Sequence, residues 1–295
     1  MAQKPYAALV RETSDRPTPR YHPASVAELE RYVRWLQRPD WNEPEFPMKL
    51  AADLPLADVA ETRLLNQTRL FLRLMAEAGS APLTPGGYLK RSYVTRMIEQ
   101  MEWPREYMAQ FPPGMFKKVD ESDAKPLDII RRLCECAGWV RHRRDALYVP
   151  RRVLELLDDD KASWPYRELF VTFFRRFNIW HIFTDDAAPA VQQTAAVTLW
   201  RLCIVVGKWM RLADLPPEVL IDGVREVMTR DPDLPGWELI VLDHLMLTPL
   251  TWFGLLERDR PQDPPWHQAE TRFRKTALFD RFITFHPPPP LVQTD

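Results

Sequence analysis

The chain has 295 residues, 45% hydrophobic and 27% charged, with 40 lysines and arginines against 41 aspartates and glutamates. This balance excludes a protein that coats nucleic acid by its overall charge, so any such contact rests on a local patch. Nine glycines against 29 prolines argue against phosphate-cradling loops and for helices punctuated by proline.

Residues 1–24 read as a loose, proline-containing arm. Ser25 and Glu28 form a capping-box pattern that opens a helix carrying Val26, Leu29, Val33 and Leu36 at helical spacing. Residues 38–60 hold four prolines and read as a surface linker. An amphipathic helix follows over 61–78, with Leu64, Leu65, Phe71, Leu72 and Met75 on one face, Arg69, Arg73 and Glu77 on the other, and Gly79 as its stop. The stretch "LTPGGYLKR" then turns the chain into a helix over 88–101 that buries Leu89, Tyr93, Met97 and Met101 and ends at Pro104. Pro126 starts the next helix, 126–137, which Gly138 stops. "WVRHRRDALYVP" is a β-hairpin candidate, with Trp139-Val140 and Leu147-Tyr148-Val149 as its strands, and "RRVLELL" is a short helix. Helix, helix, helix, hairpin is the element order of a winged helix.

The second half is richer in aromatics. Phe170, Phe173, Phe174, Phe177 and Trp180 form a stripe that reads as core, or as a partner surface where it stays exposed. Helices follow at 188–211, 217–229 and 236–248. Gly254-Leu255-Leu256-Glu257 parallels Gly138-Trp139-Val140-Arg141, and "FRKTALFDRFITF" parallels "LYVPRRVLELL", so a second unit with a proline-rich wing tip at 258–270 is expected. The reading is a mainly α chain with short β-hairpins: tandem winged-helix-like units joined by an aromatic helical core. Its divisions are 1–60 (arm, capped helix and linker), 61–160, 161–286, and a disordered polyproline tail at 287–295.

Two stretches carry a family resemblance. "LLNQTRLFLRLMAEAGSAPLTPGGYLKRSYVTRMIEQMEWP" and "FRKTALFDRFITF" resemble the C-terminal region of bacterial insertion-element passenger proteins, a TnpR-labelled family also called plasmid open-reading-frame-three-like. The resemblance spans roughly residues 61–285 and implies a fold and a setting among mobile elements. The N-terminal domain that names the family is not evident, because residues 1–60 are too short for it. A resolvase activity is not implied either, since there is no serine nucleophile in an arginine-rich setting.

The chemistry narrows to one patch. Between Arg131 and Arg152 stand seven arginines, opposed by Glu135 and Asp145 alone. The candidate nucleic-acid contacts are Arg141, His142, Arg143 and Arg144 on the wing, with Arg131, Arg132 and Arg91 as secondary contacts. On helix 126–137 the solvent arc is expected to hold Asp128, Arg131, Arg132 and Glu135, a neutral set from which Arg132 reaches a base edge. Cys134 and Cys136 lie two apart on a helix and diverge by about 200°, so they do not share a metal ion with His142. His181 and His244 read as packed histidines. Asp185-Asp186 and Asp158-Asp159-Asp160 read as solvated acids. No nucleophile-elbow, zincin, Walker or dinucleotide motif is present. The expectation is a non-enzymatic bacterial module without cofactors that contacts duplex DNA, or a protein–protein scaffold that keeps the fold without the DNA role. Three cysteines, no apolar leader and no run of ~18 apolar residues lead to the expectation of a reducing, cytoplasmic setting without a membrane span.

Overall fold

The computed structural model describes residues 23–158, 161–229, 235–259 and 268–287. Most of the expected arm (1–22), most of the wing tip (260–267), Asp159 and Asp160, and the tail (288–295) lie outside them. The described chain is mainly helical with small antiparallel sheets. It divides into two compact units, 52–184 and 1–51 with 185–295.

Helix α1 (Val26–Leu36) and strand β1 (Met48–Leu50) belong to the discontinuous unit. The Ser25 hydroxyl accepts from the Glu28 N–H at 3.2 Å, and the Glu28 carboxylate accepts from the Ala24 N–H at 2.8 Å. Residues 38–60 are not a surface linker. Trp41, Phe46 and Met48 are buried, and β1 pairs antiparallel with a strand near the C-terminus. The prolines permit this because β1 has a single partner, an edge position that tolerates proline nearby.

The 52–184 unit opens with α2 (Leu56–Val59) and α3 (Arg63–Glu77), followed by β2 (Ala81–Pro82). On α3 the apolar face is buried as its spacing requires. Arg69, expected on the solvent side, is buried too: with Arg73 it donates to the Leu157 carbonyl at the end of a 3-10 turn, where a terminal carbonyl lacks an intrahelical partner. The "TPGG" turn closes with Gly87 N–H on the Thr84 carbonyl at 2.9 Å and Thr84 N–H on the Tyr88 carbonyl at 2.7 Å. It delivers the chain to α4 (Arg91–Gln100), which buries Val94 and Met97. Pro104 does not end this helix. The break is at Met101, which is extended, and α5 (Glu102–Ala109) starts behind it with Pro104 in its first turn, where a missing N–H costs nothing. Then come α6 (Lys125–Cys136), β3 (Arg141–Arg143), β4 (Ala146–Tyr148), α7 (Arg151–Leu154) and α8 (Ser163–Val171). A π-helical turn, Thr172–Arg176, continues α8. Phe170, Phe173, Phe174 and Phe177 are all buried in this unit, while Trp180 stays half exposed.

The other unit resumes with α9 (Ala188–Gln193) and α10 (Ala195–Val205), β5 (Met210–Arg211), α11 (Leu215–Val219), α12 (Asp222–Met228) and α13 (Trp237–Leu242). A π-helical turn, Asp243–Leu247, joins α13 to α14 (Thr248–Trp252), followed by β6 (Leu256–Asp259), β7 (Arg272–Lys275), α15 (Ala277–Phe282) and β8 (Ile283–Phe285). The expected helix 188–211 is therefore two helices and a strand. It is divided at Thr194, whose hydroxyl bonds back to the Ala190 carbonyl, and it ends before Gly207. The expected helix 217–229 is divided as well, at extended Leu220.

The two units repeat one topology. In each, a helix leads to a short strand, further helices intervene, and a hairpin follows. The sheet orders are β2-β4-β3 and β5-β7-β6, so the early strand pairs with the second hairpin strand both times. The junction between helix and hairpin repeats in detail. Gly138 has φ +70° and Gly254 φ +69°. The next N–H reaches back five residues in both, Trp139 to Cys134 at 2.8 Å and Leu255 to Leu250 at 2.9 Å. This is the Schellman ending that a left-handed glycine makes possible.

Candidate nucleic-acid interface

The first hairpin differs from the pattern expected of it. Its strands are the charged residues themselves, Arg141–Arg143 against Ala146–Tyr148. Trp139 and Val140 are buried ahead of them, because the Schellman ending uses these residues to leave the helix. The turn is only Arg144 and Asp145. Arg144 has φ +54°, the one non-glycine residue with positive φ among those described. That backbone region costs a side chain-bearing residue roughly 1–2 kcal/mol.

Strand alternation puts Arg141 and Arg143 on one face, about 6.8 Å apart, and His142 on the other. Leu147, opposite His142, is buried. Accordingly His142 turns toward α6, with Nε2 3.0 Å from the Glu135 carboxylate. Arg141, Arg143 and Arg144 are exposed, as are Arg151 and Arg152 at the start of α7. None of these five pairs with an acid among the described residues. β3 is also the edge strand of its sheet, so this face is not covered by a further strand.

Arg131 and Arg132 are placed otherwise than expected. The arc of α6 expected to face solvent is largely covered: Asp128 and Arg131 are 5% and 4% exposed. The helix packs against α3, α5 and the π-helical turn 172–176, a long-range contact that helical periodicity does not encode. Arg131 donates to Glu121, a fully buried carboxylate, and to Glu135 at 2.8 Å. Arg132 donates to Asp128 at 2.6 Å. The polar side chains of α6 thus satisfy one another. Arg91, exposed at the start of α4, forms a two-pronged pair with Asp120, both bonds 3.0 Å. That pair holds the Asp120 carboxyl below its ordinary range.

Glu121 is the residue that sequence reasoning missed. It accepts the Leu89 N–H at 2.7 Å as well as the Arg131 guanidinium, so it ties the "TPGG" turn to α6. Burial pushes its carboxyl up despite both partners. It stands in the acidic loop "VDESD", where nothing separates it from solvated neighbours.

The second hairpin has the same topology and opposite charge management. Glu257 lies across from Arg274 and Asp259 across from Arg272, and both couples are ion-paired. Arg258, in the position corresponding to His142, pairs with buried Asp243 on the preceding helix. The cations of this hairpin are largely neutralised in place.

Cys134 is buried and Cys136 exposed, as divergent positions require. Burial raises the Cys134 thiol well above its ordinary value. Among the described residues no group of three His, Cys, Asp or Glu side chains is placed to hold a metal ion, and no helix is long and apolar enough to cross a membrane. His181 packs between Phe177 and Trp180. The His244 ring stands 2.8 Å from the Ile240 carbonyl. Asp185 is not merely solvated: it accepts the Trp237 indole N–H at 2.7 Å.

Residues 60–162 match a family model described as the Y4jL N-terminal domain. That span begins just ahead of α3 and runs past α7, so it takes in the whole helix–strand–helices–hairpin set with the arginine cluster. No curated protein and no solved structure matches the chain.

Proposed function

We propose that the chain is a non-enzymatic nucleic-acid-binding module of tandem winged-helix type, in which the first hairpin lies on the phosphate backbone of duplex DNA. The observation that carries this reading is the cluster Arg141, Arg143, Arg144, Arg151 and Arg152, exposed and without acidic partners, on one of two hairpins of equal topology. A wing contacts backbone phosphates in this fold type, and guanidinium groups suit phosphate oxygens. Arg144 supports the reading further. An arginine held where the backbone favours glycine points to a role for its side chain. The resemblance of residues 61–285 to insertion-element passenger proteins suggests mobile bacterial DNA, in the cytoplasm, as the setting.

Fluorescence anisotropy with a labelled generic duplex at low salt tests this. The unmodified chain is expected to bind, Arg141/Arg143/Arg144→Ala to lose most of the affinity, and Arg272/Arg274→Ala to keep it. Equal loss in both variants, or no binding by the unmodified chain, overturns the reading.

A protein–protein scaffold is the second reading. Half-exposed Trp164, tilted against Trp139 with ring centroids 6.1 Å apart, favours it, since exposed aromatics mark protein interfaces. Duplex affinity that survives the arginine variant while a partner is lost on Trp164→Ala would select it.

A further inference from the structure

Resting on the nucleic-acid reading above, we infer that the ligand is recognised as a lattice of phosphates and not as a base sequence. Sequence is read by donors and acceptors brought to base edges, most often from a helix laid in the major groove; phosphate contacts fix position and carry no sequence information. In the 52–184 unit the helix at the reading position is α6, directly ahead of the hairpin. Its polar face is closed from two sides. The π-helical turn 172–176 packs against α6, and the charges of Lys125, Asp128 and Arg132 reach His181 just beyond that turn. From the other side the loop carrying Glu121 holds Arg131.

What α6 leaves at the surface is little. Lys125, Arg132 and Glu135 are half buried and only Cys136 is exposed. Each of the three charged groups has a partner: Lys125 and Arg132 with Asp128, and Glu135 with Arg131 and His142. Arg132 is half buried, and its Nε donates to the Asp128 carboxylate at 2.6 Å, which holds the guanidinium against its own helix. Uncovering α6 would strip Arg131 and Glu121 of a buried partnership, a disruption that costs more than a base contact returns.

The cations that remain are on the hairpin and the first turn of α7. Arg141 and Arg143 project from the same face of a strand, Arg144 stands at the tip, and Arg151 and Arg152 follow the return strand. Arg141 and Arg143, about 6.8 Å apart on one face of the strand, are contacts suited to neighbouring phosphates. Among the described residues the second hairpin adds no comparable set, since Arg272 and Arg274 are ion-paired across its strands. The ligand class is therefore a polyphosphate backbone, and different base sequences are held alike.

The test uses the full chain and competition between duplexes of equal length. Two duplexes of unrelated sequence are expected to compete within about threefold of each other. Repeated selection from a randomised pool is expected to return no enriched motif, and Arg132→Ala to leave the competition ratio unchanged. A preference above tenfold, an enriched motif, or a ratio that collapses in Arg132→Ala overturns this inference while leaving nucleic-acid binding intact. Absence of binding to every duplex at low salt is a different outcome, and it overturns the reading on which the inference rests.

Discussion

Arg144 sits at φ +54° in a two-residue turn, so its backbone and its side chain are under opposed demands. Glycine relieves the backbone and removes the charge. Arg144→Gly is expected to raise stability by about 0.5–1 kcal/mol in urea unfolding, while duplex affinity falls; a loss of stability would contradict the strain. Glu121 presents the reverse case. Removing it leaves the Arg131 guanidinium buried without its main partner, so Glu121→Ala is expected to cost about 3–5 kcal/mol. Arg131→Met in the same chain should restore most of that loss, because the pair and not either charge is what the core accommodates. His181 supplies the pH dependence. Burial lowers its folded pKa below the ordinary 6.5, so below that value the unfolded chain takes up the proton more readily. Stability from this group is complete above about 6.5 and falls as pH drops through the folded value. Thermal melts between pH 7.5 and 5 should show a decline that His181→Gln reduces; an unchanged slope would remove His181 as its cause.

At the scale of elements, the two helix-to-hairpin junctions are the plainest repeat. Gly138 and Gly254 hold φ near +70°, and nothing within 4 Å of a Cβ at Gly138 would clash. Gly138→Ala thus tests backbone strain alone, and a loss of about 1 kcal/mol is expected on denaturant unfolding. These junctions were legible in the sequence because a glycine stop after an apolar-periodic stretch has one dominant meaning. The hairpin was legible in place but not in register. Charged residues at 141–143 look like loop, yet on an edge strand with one solvated face arginine fits well. The breaks at Met101, Thr194 and Leu220 were hidden, since continuous apolar spacing does not report a single non-helical residue between two helices. Proline at 104 misled for a related reason: it marks helix starts as well as ends. Least legible was the burial of the charged arc of α6. Periodicity places polar residues opposite the apolar face, and it does not foresee that a later turn packs on the helix or that Glu121 of the preceding loop pairs with its arginine.

At the scale of the molecule, a net charge of −1 gives no general pull toward a polyanion. The five arginines of the first hairpin and α7 must act locally, within about 8–10 Å at ordinary ionic strength. Binding held by backbone phosphates alone is weak at physiological salt, in the range of about 10⁻⁴–10⁻⁶ M, and this molecule is expected to need either low salt or several copies along one duplex. Among the described residues the two hairpins share a topology and differ in charge: Arg141, Arg143 and Arg144 stand without acidic partners, whereas Arg272 and Arg274 are ion-paired across their strands. The most direct measurement is the salt dependence of duplex binding. If all five arginines displace counterions, log K against log salt has a slope of about −4.5, falling to about −1.8 in Arg141/Arg143/Arg144→Ala. A slope that the substitutions leave unchanged, or binding that shows no salt dependence, would contradict the account.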